Sequence, residues 1–392
     1  MDRRVVVVGA GPAGLASAAE LGRAGLAPVV LERDVVGSSW RGRYDRLRLN
    51  TSRWTSRLPH SRYARGTGLF PSRDELVRYL EGSPSKTGST CAWARESTAS
   101  SAGTASWVLG TSAGAMPASH VIVATGFEHT SVIPEWPGRD RFKGRLLHAG
   151  GYRNAEPFRD AEVLVVGPGC SGMEIAYDLA EGGAKHVRLA VRTPPNIVLR
   201  ALAGLPGDPI AIAMLRLPPR IADAAMKLVR RLAIGNLTAY GLPRPDEGLF
   251  ARTHREGKAP AIVDKEVIQA IKDRRIEIVA GVDSLDVTGV QLADGSRIEP
   301  DAIVAATGYR RALEQMVGHL DVLDERGAPR ARRGEEAAPG LRFVGYVPRP
   351  GQIGYMGGEA KRVAKAIARQ MSGSPPISTL SAPEPPTVET SE

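Results

Sequence analysis

Cysteine is nearly absent from this sequence: 392 residues hold only Cys91 and Cys170. Two are too few for a disulfide framework or a thiolate metal site. They lie far apart and form no Cys-x-x-Cys pair, which argues against a dithiol redox centre. Long apolar runs are missing too. No stretch approaches the roughly 18 residues that a membrane-spanning helix needs. The opening Met1-Asp2-Arg3-Arg4 leads into four valines and then a glycine motif, not into a cleavage site. These absences predict a cytoplasmic protein with no transmembrane segment. Lysine is sparse beside arginine, and the formal net charge is +10. That balance fits nucleic acid, an anionic cofactor or solubility alone. Apolar residues at 42% and charged residues at 24% are ordinary globular values. They exclude collagen, coiled coil and wholesale disorder.

What is present is a pattern used twice. Val5 to Val8 is a continuous β-branched run, as expected for a strand buried on both faces of a parallel sheet. Gly9-Ala10-Gly11-Pro12-Ala13-Gly14 follows, then an Ala/Leu-rich helix, then Val29-Val30-Leu31-Glu32. This is a βαβ unit with the dinucleotide glycine fingerprint and an acid closing its second strand. Gly9 permits the tight turn, Gly11 admits a pyrophosphate, and Gly14 allows helix–sheet contact. The helix N-terminus offers N–H groups and its positive dipole end. Glu32 suits the two hydroxyls of an adenosine ribose.

The second copy runs Glu162 to Val166, Gly167-Pro168-Gly169-Cys170-Ser171-Gly172, a helix, and Val187 to Arg192. Here the strand ends in a base. A guanidinium pairs with a 2′-phosphate that an acid would repel, and Thr193 adds a hydroxyl. One acid-ended and one base-ended unit imply FAD plus NADPH, with hydride passing to the flavin. Without a cysteine pair, the reduced flavin is left to react with oxygen. The strands at Val121–Gly126 and Ile303–Gly308 both stop at Thr-Gly and are expected to mark crossings between domains. The fold class is therefore α/β, two Rossmann-like domains with the NADPH domain inserted in the FAD domain. The expected boundaries are 1–151 and 306–370 for the FAD domain, 152–305 for the insertion, and a disordered Ser/Pro/Thr-rich tail at 371–392.

Between the two glycine turns, Phe142, Gly144, His148 and Tyr152 spell Phe-x-Gly-x-x-x-His-x-x-x-Tyr. This spacing resembles the fingerprint of flavin-containing monooxygenases. Baeyer–Villiger enzymes resemble it too but usually carry Trp last, so Tyr152 leans away from them. Ser39-Trp40, Tyr44-Asp45-Arg46-Leu47, Val191-Arg192-Thr193, Gly235-Asn236, Tyr240 to Pro245 and Ala305 to Arg310 resemble the plant YUCCA-type branch. The resemblance spans the chain to about Arg369. It implies FAD and NADPH, a flavin C4a-(hydro)peroxide shielded by NADP+, and transfer of one oxygen to a small organic substrate. The YUCCA-type branch decarboxylates indole-3-pyruvate oxidatively; other members oxygenate N or S centres. A small molecule and O2 are the expected partners, no nucleic acid is expected, and a homodimer is left open. The alternatives are an NADPH oxidase or flavin reductase without productive oxygenation, and a degenerate flavoprotein that binds FAD weakly.

The resemblance also names residues. Asn50 matches an asparagine placed near the flavin and its oxygen adduct. His148, at the domain linker, is a candidate general base or an organiser of the linker. The cofactor-binding set is Gly9, Gly11, Pro12, Ala13, Gly14, Glu32, Arg33, Trp40, Asn50, Thr125, Gly126, Gly167, Gly169, Ser171, Gly172, Arg192, Thr193, Thr307 and Gly308; no metal site is expected. The arginine-rich run from Arg41 to Arg65, interleaved with Trp40, Tyr44, Trp54 and Tyr63, could be read as an RNA-binding patch. The family reading sets it around flavin phosphates and a carboxylate substrate. Asp208 to Ala233 mixes apolar and basic residues. It reads as an ordinary packing helix interrupted at Pro218-Pro219, although a basic amphipathic helix can also lie on a membrane.

One segment departs from the family. Residues 82–106 are rich in Ser, Thr, Ala and Gly with no period of 2 or 3.6, where a strand and hairpin near the flavin adenine are expected. A compensated frameshift in the gene is one cause to consider, with weak FAD binding as its consequence.

Overall fold

The computed structural model describes residues 4–83, 90–93, 99–101, 107–256 and 259–372. Two parallel sheets organise them. The first contains β1 (Val5–Val8), β2 (Val29–Glu32), β3 (Thr90–Trp93), β4 (His120–Val123), β10 (Glu336–Ala338) and β11 (Leu341–Phe343), in the order β10-β11-β4-β1-β2-β3. Only the β10–β11 pair is antiparallel. The second contains β5 (Arg145–His148), β6 (Glu162–Val166), β7 (His186–Val191), β8 (Glu277–Ala280) and β9 (Ala302–Ala305), in the order β8-β7-β6-β9-β5. All its pairs are parallel. Strand β5 thus joins the second sheet although it precedes Tyr152.

The valine runs behave as their period demands. Val6 and Val8 face one core with Leu31, Val121, Val123 and Phe343. Val5 and Val7 face the other with Val30, Ile122, Val344 and Ile367. Likewise Val163 and Val165 lie in one cluster of the second sheet and Leu164 and Val166 in another. Alternate side chains point to opposite faces, so a strand covered on both sides must be apolar throughout. Each such buried side chain contributes about 1.5–3 kcal/mol.

Helix α1 (Pro12–Arg23) starts at the first glycine turn and packs on the long helix α5 (Gln352–Ser372). Helix α2 (Cys170–Glu181) starts at the second turn. The chain leaves the first sheet after β4 and returns after β9. The two crossings run side by side, with Thr130–Ser131 paired antiparallel to Tyr309–Arg310.

Two expectations change, and the interruption expected at Pro218-Pro219 is present. Segment 82–106 does contribute strands: β3 adds to the free edge of β2, and Ala99–Ser101 pairs with Trp107–Thr111. Backbone hydrogen bonds to an open edge need no side-chain alternation, which is why the composition hid them. Residues 84–89, 94–98 and 102–106 lie outside the described residues, and the frameshift reading rests in part on them. Helix α5 continues through Met371 and Ser372; the rest of the expected tail, 373–392, also lies outside the described residues. The 208–233 stretch forms two helices, α3 (Asp208–Met214) and α4 (Pro219–Ala233). Pro219 begins α4 rather than breaking it, because its missing N–H falls where a helix leaves that group unpaired.

Candidate cofactor and active site

The two glycine turns are built alike. Gly9 has φ +108°, and a Cβ there would lie 2.6 Å from the Ala124 carbonyl oxygen. Gly167 has φ +111°, with the Ala306 carbonyl oxygen at 2.5 Å. A Cβ on Gly14 would come within 1.8 Å of the Gly9 carbonyl oxygen, and one on Gly172 equally close to that of Gly167. These four positions exclude any side chain. Gly11 and Gly169 differ: a Cβ on either meets nothing within 4 Å. Their bare faces are open, and neither caps its helix through a side chain. The first N–H groups of α1 and α2 are thus available to an anion at an open surface. Both sites fit a pyrophosphate.

The strand ends set the two turns apart. Glu32 Oε2 accepts the Ala10 N–H at 2.7 Å, and Oε1 accepts those of Arg33 and Asp34 at 2.8 and 3.1 Å. Three donors fix the carboxylate beside the turn and leave lone-pair capacity for a ribose hydroxyl. In the second turn Ala10 is replaced by Pro168, which has no N–H to give; Val191 holds the place of Glu32, and Arg192 stands one residue past it, just beyond the end of β7. Arg192 and Thr193 are exposed, and Arg192 forms no ion pair or hydrogen bond among the described residues. An unpaired guanidinium beside an open helix N-terminus fits a phosphate monoester.

Other expected residues fall around these turns. Ala13 packs under Gly345, whose Cβ would lie 2.8 Å from that of Ala13. Thr125 Oγ1 meets the Tyr346 hydroxyl at 2.7 Å, and Thr307 Oγ1 donates to the Val132 carbonyl. Gly126 and Gly308 turn the chain at φ +83° and +90°. Arg33 is exposed, 3.3 Å from His129 Nε2. Trp40 is half-buried and packs against the second sheet's core and against the cluster of Leu15, Leu76 and Leu80. Pro12 opens α1, and Ser171 lies in the first turn of α2. Leu49 and Leu58 pack on Leu15 and Ala16 of α1, which fixes the loop carrying Asn50. Ser52 and Thr55 of that loop hold buried Asp208, the first residue of α3. Asn50 itself is half-buried with no hydrogen-bond partner among the described residues.

The linker fingerprint has a physical explanation at each position. Gly144 is bare because the Phe142 ring lies over it, 2.4 Å from where a Cβ would be. Tyr152 is fully buried and donates its hydroxyl to Asp178 Oδ2 at 2.7 Å. His148 is buried too. Its Nδ1 accepts the Gly150 N–H at 3.0 Å, so Nε2 carries the proton and donates to the Gly308 carbonyl at 3.0 Å. Burial, assisted by the nearby Arg43 charge, pushes its pKa below the usual histidine range. Of the two expected roles this geometry favours the organiser: both ring nitrogens are engaged, and His148 ties the outgoing crossing to the returning one.

Part of the arginine run is engaged within the molecule. Arg43 lies over the Tyr309 ring and binds Glu128 at 2.7 Å. Arg41 pairs with Glu81, and Arg53 donates to the Thr67 carbonyl. Arg46 and Arg48 line a polar cleft of about 350 Å³ with Asp45, Ser72, Glu174 and Asp264, where the two sheets' units meet. Behind it lies a network that the sequence did not reveal: buried Arg200 binds Glu174 and, at 2.7 Å, Asp264. Burial pushes the Glu174 pKa up. No local pattern marks these partners, because they come from three separate elements. Arg43 was hidden for the same reason; its partners Glu128 and Tyr309 sit on the two crossings.

Residues 6–198 match the family model described as pyridine nucleotide-disulphide oxidoreductase. The chain is 34% identical over 374 residues to an indole-3-pyruvate monooxygenase, YUCCA1, of Oryza sativa subsp. japonica, covering 92% of this chain and 90% of that protein. It is 32% identical over 374 residues to the probable indole-3-pyruvate monooxygenase YUCCA1 of Arabidopsis thaliana, covering 93% and 89%. The chain is a YUCCA-like member of the flavin-containing monooxygenase family. The fold agrees: a flavin monooxygenase from Stenotrophomonas maltophilia, solved as a mutant, matches with TM-score 0.72 and 23% identity over 95% of this chain and 100% of that one. As a flavin-containing monooxygenase, the protein is an oxidoreductase. Among the described residues no dithiol answers the disulphide in the family model's description. Cys170, the described cysteine, is free, and its Sγ is held between the Pro260 carbonyl and the Ile262 N–H at 3.4 and 3.2 Å.

Proposed function

We propose that this flavin-containing monooxygenase binds FAD at the Gly9–Gly14 turn and NADPH at the Gly167–Gly172 turn. It inserts one atom of O2 into a small organic substrate, either by N or S oxygenation or by oxidative decarboxylation of a 2-oxo acid such as indole-3-pyruvate. The observation that carries the reading is the pair of matching open turns, with Glu32 closing the second strand of one unit and exposed Arg192 just past that of the other. The two relatives named as indole-3-pyruvate monooxygenases support the 2-oxo acid.

When bound, NADPH supplies hydride and FAD accepts it and activates oxygen. The protein's own part is to bind, orient and shield. Gly11 and the N–H groups of α1 receive the FAD phosphates, and Glu32 orients the ribose. Gly169 and α2 receive the second pyrophosphate, with Arg192 and Thr193 on the 2′-phosphate. The Asn50 amide, which has no hydrogen-bond partner among the described residues, is free to donate toward the flavin side and to hold an oxygen-bearing group there. The Asp208 clamp on Ser52 and Thr55 keeps that loop against the insertion and limits water entry.

The deciding experiment is anaerobic reduction of the FAD-loaded protein by NADPH, followed by oxygen. Product formation from indole-3-pyruvate, a sulfide and an amine is measured against NADPH consumed. Product in near-equal yield with one of them supports the proposal. NADPH recovered wholly as hydrogen peroxide with all three makes the protein an oxidase instead. Asn50→Ala is expected to keep flavin reduction and lower the fraction of NADPH yielding product by about tenfold.

A further inference from the structure

Ten large apolar side chains stand exposed among the described residues, and seven of them fall between Leu205 and Leu232. Helix α4 is the centre of this concentration. It buries only Ala222. Ile221 and Leu228 are 58% exposed and Leu232 is 79% exposed. With Ala225 they recur at intervals of four, three and four residues, which makes one stripe along the helix. Arg220, Lys227 and Arg231 form the neighbouring stripe, with Arg216 just before the helix. None of these four cations has an ion pair among the described residues. The acids of the stretch point the other way. Asp223 accepts the Phe250 and Ala251 N–H groups at 2.7 and 3.1 Å. Asp208 is buried against Ser52 and Thr55.

An apolar stripe bordered by unpaired cations, with every acid turned inward, is the pattern of a helix that lies in a bilayer interface. We propose that the α3–α4 face docks on an anionic lipid bilayer, with Ile221, Leu228 and Leu232 entering the acyl boundary and Arg220, Lys227 and Arg231 meeting the headgroups. No helix among the described residues is long and apolar enough to cross a membrane, so the attachment is peripheral. Charge selects this occupant over a second copy of the chain. A symmetric dimer through this face would set its cationic stripe against an identical one, whereas an anionic surface attracts it.

Flotation of the full-length protein with vesicles tests the proposal. Wild type is expected to float with phosphatidylcholine vesicles containing phosphatidylserine, to stay behind with pure phosphatidylcholine, and to lose binding as salt rises. Leu228→Ser/Leu232→Ser keeps the charge and is expected to lower vesicle-bound protein about tenfold. Lys227→Glu/Arg231→Glu keeps the apolar stripe and is expected to do the same. All these side chains are exposed, so both variants should fold and keep wild-type NADPH turnover. Three results overturn the proposal: no flotation of wild type at low salt, flotation indifferent to the leucines, or a wild-type dimer that the leucine variant dissolves with no vesicle binding in either form.

Discussion

Glu32 Oε2 accepts the Ala10 backbone N–H at 2.7 Å, which ties the end of the second strand to the first glycine turn. The corresponding place in the second turn is Pro168, which cannot donate, and in register Val191 holds the place of Glu32, with Arg192 one residue beyond it. Each turn thus carries a backbone group suited to the residue it faces. An anchored carboxylate needs the donor; a guanidinium reaching outward does not.

This pairing constrains any exchange of cofactor preference. Arg192→Glu removes a charge-assisted contact worth about 1.5–3 kcal/mol, so the KM for NADPH should rise about 10- to 100-fold. The variant should gain little with NADH, because its new carboxylate stands one residue past the place that Glu32 holds in the first unit. Pro168→Ala/Val191→Glu/Arg192→Ser puts a carboxylate in that place beside a backbone donor and should favour NADH. Steady-state kinetics with both nucleotides check this. Equal NADH gain in the single and triple variants would show that this placement is irrelevant.

The glycines of one turn should separate by role. Gly14→Ala drives a Cβ into the Gly9 carbonyl and should cost about 3 kcal/mol or prevent folding. Gly11→Ala meets nothing within 4 Å, at an ordinary φ of −81°. It should fold with wild-type circular dichroism and melt within about 2 °C of the wild-type apoprotein. Its FAD content on purification should nonetheless fall sharply, because the methyl group takes the space the pyrophosphate needs. Normal FAD retention in Gly11→Ala would move the flavin phosphates elsewhere.

The linker histidine predicts a pH dependence. Burial holds the folded pKa of His148 below its ordinary 6.5. Below about pH 6.5 the unfolded chain therefore takes up a proton that the folded chain resists, and the stability from neutral His148 is lost as pH falls from there toward its folded pKa. Above that range it is fully present. Urea midpoints across this interval should fall more steeply for wild type than for His148→Asn. His120 and His129 are shifted the same way, so the variant's slope should be shallower rather than flat. Identical slopes would remove His148 from the account.

The buried network offers a further test. Arg200→Leu strands the Glu174 carboxylate in the interior and should cost about 3–5 kcal/mol. Arg200→Leu/Glu174→Leu removes both charges and should recover most of that loss. A double variant no more stable than the single one would mean that packing, not the uncompensated charge, sets the penalty.

The sequence alone determined the repeated units and their chemistry. Period-two burial requires the unbroken runs at Val5–Val8 and Val163–Val166, and backbone sterics require Gly9, Gly14, Gly167 and Gly172. These are local demands, so they are written locally. The opposite charges of Glu32 and Arg192 were legible for the same reason. Tertiary structure alone decided the rest. The sequence left His148 as base or organiser; only the fold shows the Gly150 N–H and the Gly308 carbonyl against its two nitrogens. The Arg200–Glu174–Asp264 network, the clamp on Asp208 and the exposure of Leu228 and Leu232 depend on which distant segments meet. A residue's type fixes what it can bond. Only packing fixes what is left for it to bond, and whether water or protein covers it.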